Sequence, residues 1–265
     1  MKLSFAPTAV AVTMAVAGCA SVQSGAGGSP PIVAEGFEGT AVGEIPAGYA
    51  KQGAVGVASD QAHSGRQSLK IEPAVRGGRG LNFSPEMVAA LGGEHWGRMY
   101  VKFKTPAPLP AAGTVPGDGR IIHATLVHGG AVSPTAGDNI DVRLATFTED
   151  TAGDVKWFYN VQPRGGRREF SRTSTVTRKF TDAWTLLEWH VDNATQTYEF
   201  FIDGVRTDFS GTQGPGNYTN LEIPPAFQTY SIGFTNYQTA SGDGFTVWID
   251  DLAIGKQRLG PVRGG

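Results

Sequence analysis

The chain has 265 residues, with 22 Lys and Arg against 24 Asp and Glu and a formal net charge of −2. That near-balance leaves no global basic footprint for nucleic acid. A single cysteine, Cys19, means that no disulfide can assist the fold, so an apolar core must suffice.

The N-terminus reads as a lipoprotein signal. Met1 and Lys2 give a slightly basic start, an apolar stretch covers 5–17, and Val16-Ala17-Gly18-Cys19 closes it. Small residues before a cysteine fit acylation of that cysteine as the mature N-terminus. The stretch is shorter than the roughly 20 apolar residues of a membrane span. Residues 1–19 are therefore excluded from the fold, and the Ser, Gly and Pro of 20–32 form a flexible spacer. Ala20 is not an inner-membrane retention aspartate, so the expected location is exported and lipid-anchored at Cys19, on the outer membrane or cell surface. A single domain over 33–260 and a tail over 261–265 complete the division, and a monomer is expected.

From Val33 onward the apolar pattern has period two, broken by Gly, Asn, Asp and Pro, which is the pattern of strands and turns. Strands are predicted near 54–58, 67–72, 79–83, 97–104, 119–128, 139–147, 154–161, 185–191, 196–202, 229–236 and 244–254. Only 84–91 suggests a helix, with Ser84 as N-cap, Pro85 in the first turn and Gly92 as a stop. Asp203-Gly204 marks a type I′ hairpin. So many strands with almost no helix predict an all-β jelly roll, a concanavalin A-like sandwich of two antiparallel sheets.

Alternate residues of a strand face opposite ways, so polar and apolar faces can be separated by counting. In 139–147, Ile140, Val142 and Leu144 oppose Asn139, Asp141 and Arg143. In 97–104, Met99, Val101 and Phe103 oppose Arg98, Tyr100, Lys102 and Lys104. In 119–128, Ile122, Ala124 and Leu126 oppose His123 and Thr125, with Ile121 and Val127 on the polar side against the trend. In 229–237, Tyr230, Ile232 and Phe234 oppose Ser231, Gly233, Thr235 and Tyr237. If these strands share a sheet, its outer face gathers His123, Arg143, Lys102, Tyr100, Asp141 and Tyr237. Rings that stack on pyranose faces and charges that fix hydroxyls or carboxylates suit a sugar chain.

These residues resemble the fungal cellulose-induced secreted protein family and its bacterial relatives, jelly rolls related to glucuronan and alginate lyases. The likeness is strongest at Gly36-Phe37-Glu38-Gly39, along 60–71 with its His63-Ser64-Gly65 turn, and in Val247-Trp248-Ile249-Asp250-Asp251-Leu252. Weaker likeness runs through the strands between. The resemblance implies a structural Ca2+ that clamps the chain ends through Glu38, the backbone of Ser64, and Asp251 or Asp250, since a hard cation takes six to eight oxygens. It also implies β-elimination on an acidic polysaccharide, with Arg143 on the uronate carboxylate and His123 and Tyr237 in proton transfer. Tyr159 is the reserve for Tyr237. Tyr100, Lys102 and Asp141 would join Tyr159 in binding substrate. Ile121-Ile122-His123 stands where the alginate lyases carry a glutamine two places before the histidine, and Lys102 is the candidate to replace that glutamine.

Two further features complete the reading. Arg164, Arg167, Arg168, Arg172, Arg178 and Lys179 make a locally basic segment that would attract a polyanion. Glu188 and Asp192, four apart, resemble the paired acids of sandwich-fold glycoside hydrolases, a reading ranked below elimination.

Overall fold

The computed structural model describes residues 30–112, 120–212 and 221–262. The signal segment with Cys19, most of the spacer and the last three residues of the tail lie outside the described residues. Among the described residues sixteen strands and one helix follow in chain order: β1 Val33–Glu35, β2 Tyr49–Gln52, β3 Val55–Ala58, β4 Ser68–Ala74, β5 Gly77–Phe83, α1 Pro85–Leu91, β6 Glu94–Phe103, β7 Ile121–Val132 and β8 Asn139–Asp150. After these come β9 Val155–Pro163, β10 Phe170–Thr173, β11 Thr185–Asp192, β12 Thr197–Ile202, β13 Val205–Arg206, β14 Gly211–Thr212, β15 Thr229–Asn236 and β16 Phe245–Gly255.

The strands form two antiparallel sheets, as a jelly-roll sandwich requires. One runs β13-β12-β11-β6-β16-β4-β3, with β1 added to β16 and β14 to β12. The other runs β10-β9-β8-β7-β15-β5-β2. Their inner faces share one core, where Phe103 of the first sheet meets Phe147 and Phe234 of the second at ring separations of 5.8 and 6.0 Å. Burying an apolar side chain of this size stabilises by roughly 1.5–3 kcal/mol relative to leaving it in water.

Local chemistry explains the elements. Ser84 Oγ accepts the Met87 N–H at 3.3 Å, Pro85 opens α1, and Gly92 ends it at φ 62°. Asp203 and Gly204, at φ 51° and 78°, make the tight turn that pairs Ile202 with Val205. The short strands β1, β2, β10 and β14 fall outside the predicted strands, because stretches of two to four residues carry too little alternation to register, whereas β13 is the return arm of the expected Asp203-Gly204 hairpin.

Two findings correct the predicted outer face. β6 pairs with β11 and β16, so Tyr100 and Lys102 belong to the nine-stranded sheet, away from His123 and Arg143. In β9, Val155, Trp157, Tyr159 and Val161 point into the core; Tyr159 is fully buried and its hydroxyl donates to the Leu221 carbonyl. It is therefore core packing and cannot stand in for Tyr237.

The register of β7 carries a second departure from simple alternation. Thr125 pairs with Thr146 and His128 with Arg143, and the ladder shifts on either side of Val127. The irregularity is matched on β8, where Leu144 and Ala145 are both buried, so Leu126 and Val127 both enter the core and the facing pattern inverts beyond them. His123 and His128, an odd number of residues apart, consequently share the outer face.

Candidate functional site

The outer face of the seven-stranded sheet is laid out by its register. One row runs Ser231, His128, Arg143 and Asn160 across β15, β7, β8 and β9. The next runs Thr235, Thr125, Thr146 and Phe158. Beyond it stands His123, whose carbonyl accepts the Tyr237 N–H at 2.9 Å. On the β5 side the neighbouring backbones pack closely. A Cβ on Gly80 would come within 2.4 Å of the Ile232 carbonyl oxygen, and one on Gly233 within 2.3 Å of the Arg79 carbonyl oxygen. Only glycines allow these two backbones to approach so closely.

Three predicted residues converge here. The Tyr237 ring lies 5.0 Å from the His123 ring, and the Arg143 guanidinium carbon sits 4.5 Å over the Tyr237 ring. The Tyr237 turn is held from below, since Gln238 Oε1 accepts the His123 N–H at 2.6 Å. Arg143 is 5% exposed; Nη1 donates to Asn160 Oδ1 at 3.0 Å and Nη2 donates to Gln162 Oε1. It is a fixed cation in the sheet rather than a mobile arm. Asn160 is held in turn by donating to Glu169, the Phe170 carbonyl and Ser171.

The electrostatics keep both histidines neutral. Burial and then the Arg143 charge push His123 down to about 4. His128 is also pushed down to about 4, by burial above all, with Asp141 acting in the opposite sense and Arg143 and Arg164 adding to the depression. His123 Nε2 is enclosed and lacks a hydrogen-bond partner among the described residues. An unsatisfied buried nitrogen is costly to keep in a structural position, and functional sites are where such groups persist. A neutral imidazole, a phenol and a fixed guanidinium at this spacing can move a proton beside a stabilised anion.

Other predicted residues lie elsewhere. Asp141 is on this face but pairs with Arg164 at 2.5 Å. Tyr100 stacks on His63 with centroids 3.4 Å apart, and Lys102 reaches Gln61 at 2.9 Å and Asp182 at 3.2 Å. Half of the basic segment is neutralised locally: Arg164 pairs with Asp141, Arg167 with Asp138 and Glu222, and Lys179 with Asp154. Arg168, Arg172 and Arg178 have no ion-pair partner among the described residues. Glu188 is buried against Arg258 at 2.8 Å, and Asp192 caps its own turn through Ala194 and Thr195, so this pair shares no substrate-sized cleft.

The residues implied as calcium ligands contact the 63–67 turn, Asp250 and Asp251 at His63 and Ser64 and Glu38 at Arg66 and Gln67. Asp250 Oδ2 accepts the N–H groups of His63 and Ser64 at 2.7 and 3.2 Å, and Asp251 Oδ1 accepts the Ser64 hydroxyl at 2.8 Å. Glu38 Oε1 accepts from Arg66 and Gln67, and Gly65 has no room for a Cβ because Glu38 Oε1 would lie 2.4 Å away. Burial and the adjacent Asp251 push Asp250 up to about 7, the mark of crowded negative charge. The donor set is hard oxygen and so fits calcium in kind. Among the described residues no three His, Cys, Asp or Glu side chains form a metal cluster, and Asp250 and Glu38 already accept backbone N–H groups.

No family model and no curated protein matches the sequence. Solved structures do share the fold. An alginate lyase, Aly36B, is 10% identical, with a TM-score of 0.50 over 88% of this chain and 100% of that one. A structure reported for endo-acting O-glycanases, by which gut microbiota initiate mucin breakdown, is 11% identical with a TM-score of 0.51, over 86% of this chain and 100% of that one. A Trypanosoma rangeli sialidase is 14% identical with a TM-score of 0.42; the match covers 82% of this chain, which spans only 30% of the sialidase's length. At such identities the likeness concerns the fold.

Proposed function

We propose that this chain is an exported lipoprotein that cleaves a uronic-acid-containing polysaccharide by β-elimination on the outer face of its seven-stranded sheet. The observation that carries the reading is the convergence of His123, Tyr237 and Arg143, brought together from three separate stretches of chain. Its fold is shared with an alginate lyase, and the family resemblance at Glu38, His63-Ser64-Gly65 and Asp250-Asp251 points the same way.

In this reading neutral His123 removes the proton on the carbon next to the uronate carboxylate. The electron pair forms the new carbon–carbon double bond as the glycosidic oxygen departs, and the Tyr237 hydroxyl supplies that oxygen's proton. Arg143 stabilises the charge that builds on the carboxylate, and its fixed position means that no reorganisation is needed as the charge develops. Bound calcium would hold the chain ends together through Glu38, the backbone of Ser64, and Asp251 or Asp250. If so, a chelator lowers the melting temperature and added calcium restores it; a transition indifferent to both removes the metal from the account.

Incubating the purified protein with glucuronan, alginate and related uronans, while following absorbance of the unsaturated product, tests the activity. Product that accumulates with the wild type and not with Tyr237→Phe supports elimination. Binding without product supports a second reading, a non-catalytic carbohydrate-binding protein. That alternative is favoured by Arg143 being already engaged with Asn160 and Gln162, and by Ile121 standing in the glutamine's place.

A further inference from the structure

The two sheets do not fill all the space between them. At the end of the sandwich where β6 finishes and β9 and β11 begin, a cavity of about 190 Å3 remains. Its wall is Val101, Phe103, Val155, Trp157 and Ile202, each at most 5% exposed, and its rim is formed by the exposed Arg178, Lys179 and Asp203 among others. Phe180 closes one side by stacking on Phe103 at 3.9 Å. Protein interiors are close-packed and keep few voids larger than a water molecule. An engineered apolar cavity of about 150 Å3 takes up benzene, so this one has room for an aromatic ring with a small substituent.

The polar groups that border the cavity set the rest of the ligand's chemistry. Trp157 is 95% buried, yet its indole N–H has no hydrogen-bond partner among the described residues. A buried indole N–H ordinarily finds one, and it can only donate. At the rim, Lys179 is taken up by Asp154 and the Ala152 carbonyl, and Asp203 Oδ1 accepts the Leu186 N–H. Arg178 has its backbone fixed by two hydrogen bonds of 2.8 Å with Val155, while its guanidinium has no partner among the described residues. One unmatched donor in the wall and another at the rim call for a ligand that carries acceptor oxygens.

We propose that this cavity binds a small aromatic monocarboxylate, with its ring against the apolar wall and its carboxylate turned to the Trp157 N–H and the Arg178 guanidinium. The site is separate from the groups proposed for elimination. Trp157 and Phe158 point to opposite sides of β9, and Phe158 lies 5.0 Å from the His123 ring on the outer face. The assignment therefore does not depend on the saccharide reading.

The test is a titration of the isotopically labelled full protein with benzoate and, as a carboxylate without a ring, acetate. Benzoate should shift the Trp157 indole N–H signal saturably, that signal being the one missing from Trp157→Phe, and acetate over the same range should not. Trp157→Phe keeps a ring and removes the donor, and it should weaken benzoate by about tenfold, the worth of one hydrogen bond to a charged group. Arg178→Gln should weaken it by about fivefold, the upper end for an exposed ion pair; as a surface change it gives the answer should Trp157→Phe fail to fold. An indole signal that benzoate leaves in place, acetate acting as well as benzoate, or wild-type affinity in both variants overturns the proposal. Benzoate binding lost in Arg143→Ala and kept in Arg178→Gln overturns it too, by moving the anion to the outer face.

Discussion

On the outer face of the nine-stranded sheet, charged and aromatic side chains find partners within the protein. Arg258 covers Glu188 and lies 3.8 Å over the Phe201 ring, His190 stacks on Trp96 at 4.1 Å and approaches Glu199, and His63 stacks on Tyr100 beside Asp251. The chain end closes over this face, with Arg98 donating to the Gly260 carbonyl at 2.9 Å and the Val262 N–H reaching the Tyr100 hydroxyl. The opposite face carries similar residue types, and there His123 Nε2 has no hydrogen-bond partner among the described residues, just as His190 Nε2 and Arg98 Nε have none on the nine-stranded sheet. Residue type alone therefore does not mark a site. What separates the two faces is that one of them brings an imidazole, a phenol and a guanidinium, His123, Tyr237 and Arg143, against one another.

Substitutions on the two faces should part company accordingly. The largest effect is expected from His123→Ala and Tyr237→Phe, each lowering turnover by about 10²–10⁴-fold, the usual worth of a positioned proton-transfer group. Arg143→Ala should cost about 10²–10³-fold, as loss of a preorganised charge does. Equal activity in all three by the product-absorbance assay would erase the distinction between the faces.

Arg258→Ala should leave turnover unchanged and instead destabilise the fold. It strands Glu188, whose side chain is only 1% exposed; because Arg258 is itself 39% exposed, solvent compensates in part and the loss is about 1–2 kcal/mol by denaturant titration.

The pH dependence sharpens the same contrast. His123 sits near 4, so the acid limb of kcat/KM should fall near pH 4 to 5 rather than near the ordinary histidine value of 6.5. Glu149, buried and with no hydrogen-bond partner at Oε2 among the described residues, is pushed up to about 8 by burial and then by Asp150. The folded state holds its proton where the unfolded state has released it, so this group's contribution is present below about pH 4.5 and is lost as pH rises to about 8. Glu149→Gln should match the wild type in melting temperature at pH 4 and exceed it progressively toward pH 8. The smallest effect is expected from Lys102→Ala, which lies on the other sheet and should alter turnover less than twofold.

Much of the architecture was legible in the sequence. Eleven strands and the helix follow from alternation, from Ser84 and Pro85, and from the Asp203-Gly204 turn. Counting also placed His123, Arg143 and Tyr237 on a polar face. It would equally have excluded Tyr159, which shares its face with Val155, Trp157 and Val161. Two things escaped. Alternation says which face a residue takes but not which sheet its strand joins, so Tyr100 and Lys102 were grouped with the wrong partners. His128 was missed because parity assigns it to the core, and only the bulge turns it outward. The sole trace in the sequence was Val127, an apolar residue on the side counted as polar.

The claim that one face binds saccharide and the other is structural can be read directly by titrating a uronan oligosaccharide into isotopically labelled Tyr237→Phe protein, whose slowed turnover preserves the ligand, and following amide chemical shifts. Perturbations centred on His123, His128 and Arg143, with those around Trp96, His190 and Tyr100 unmoved, are the predicted result. Shifts confined to β6, β11 and β12, with the β7 and β15 face silent, would contradict it.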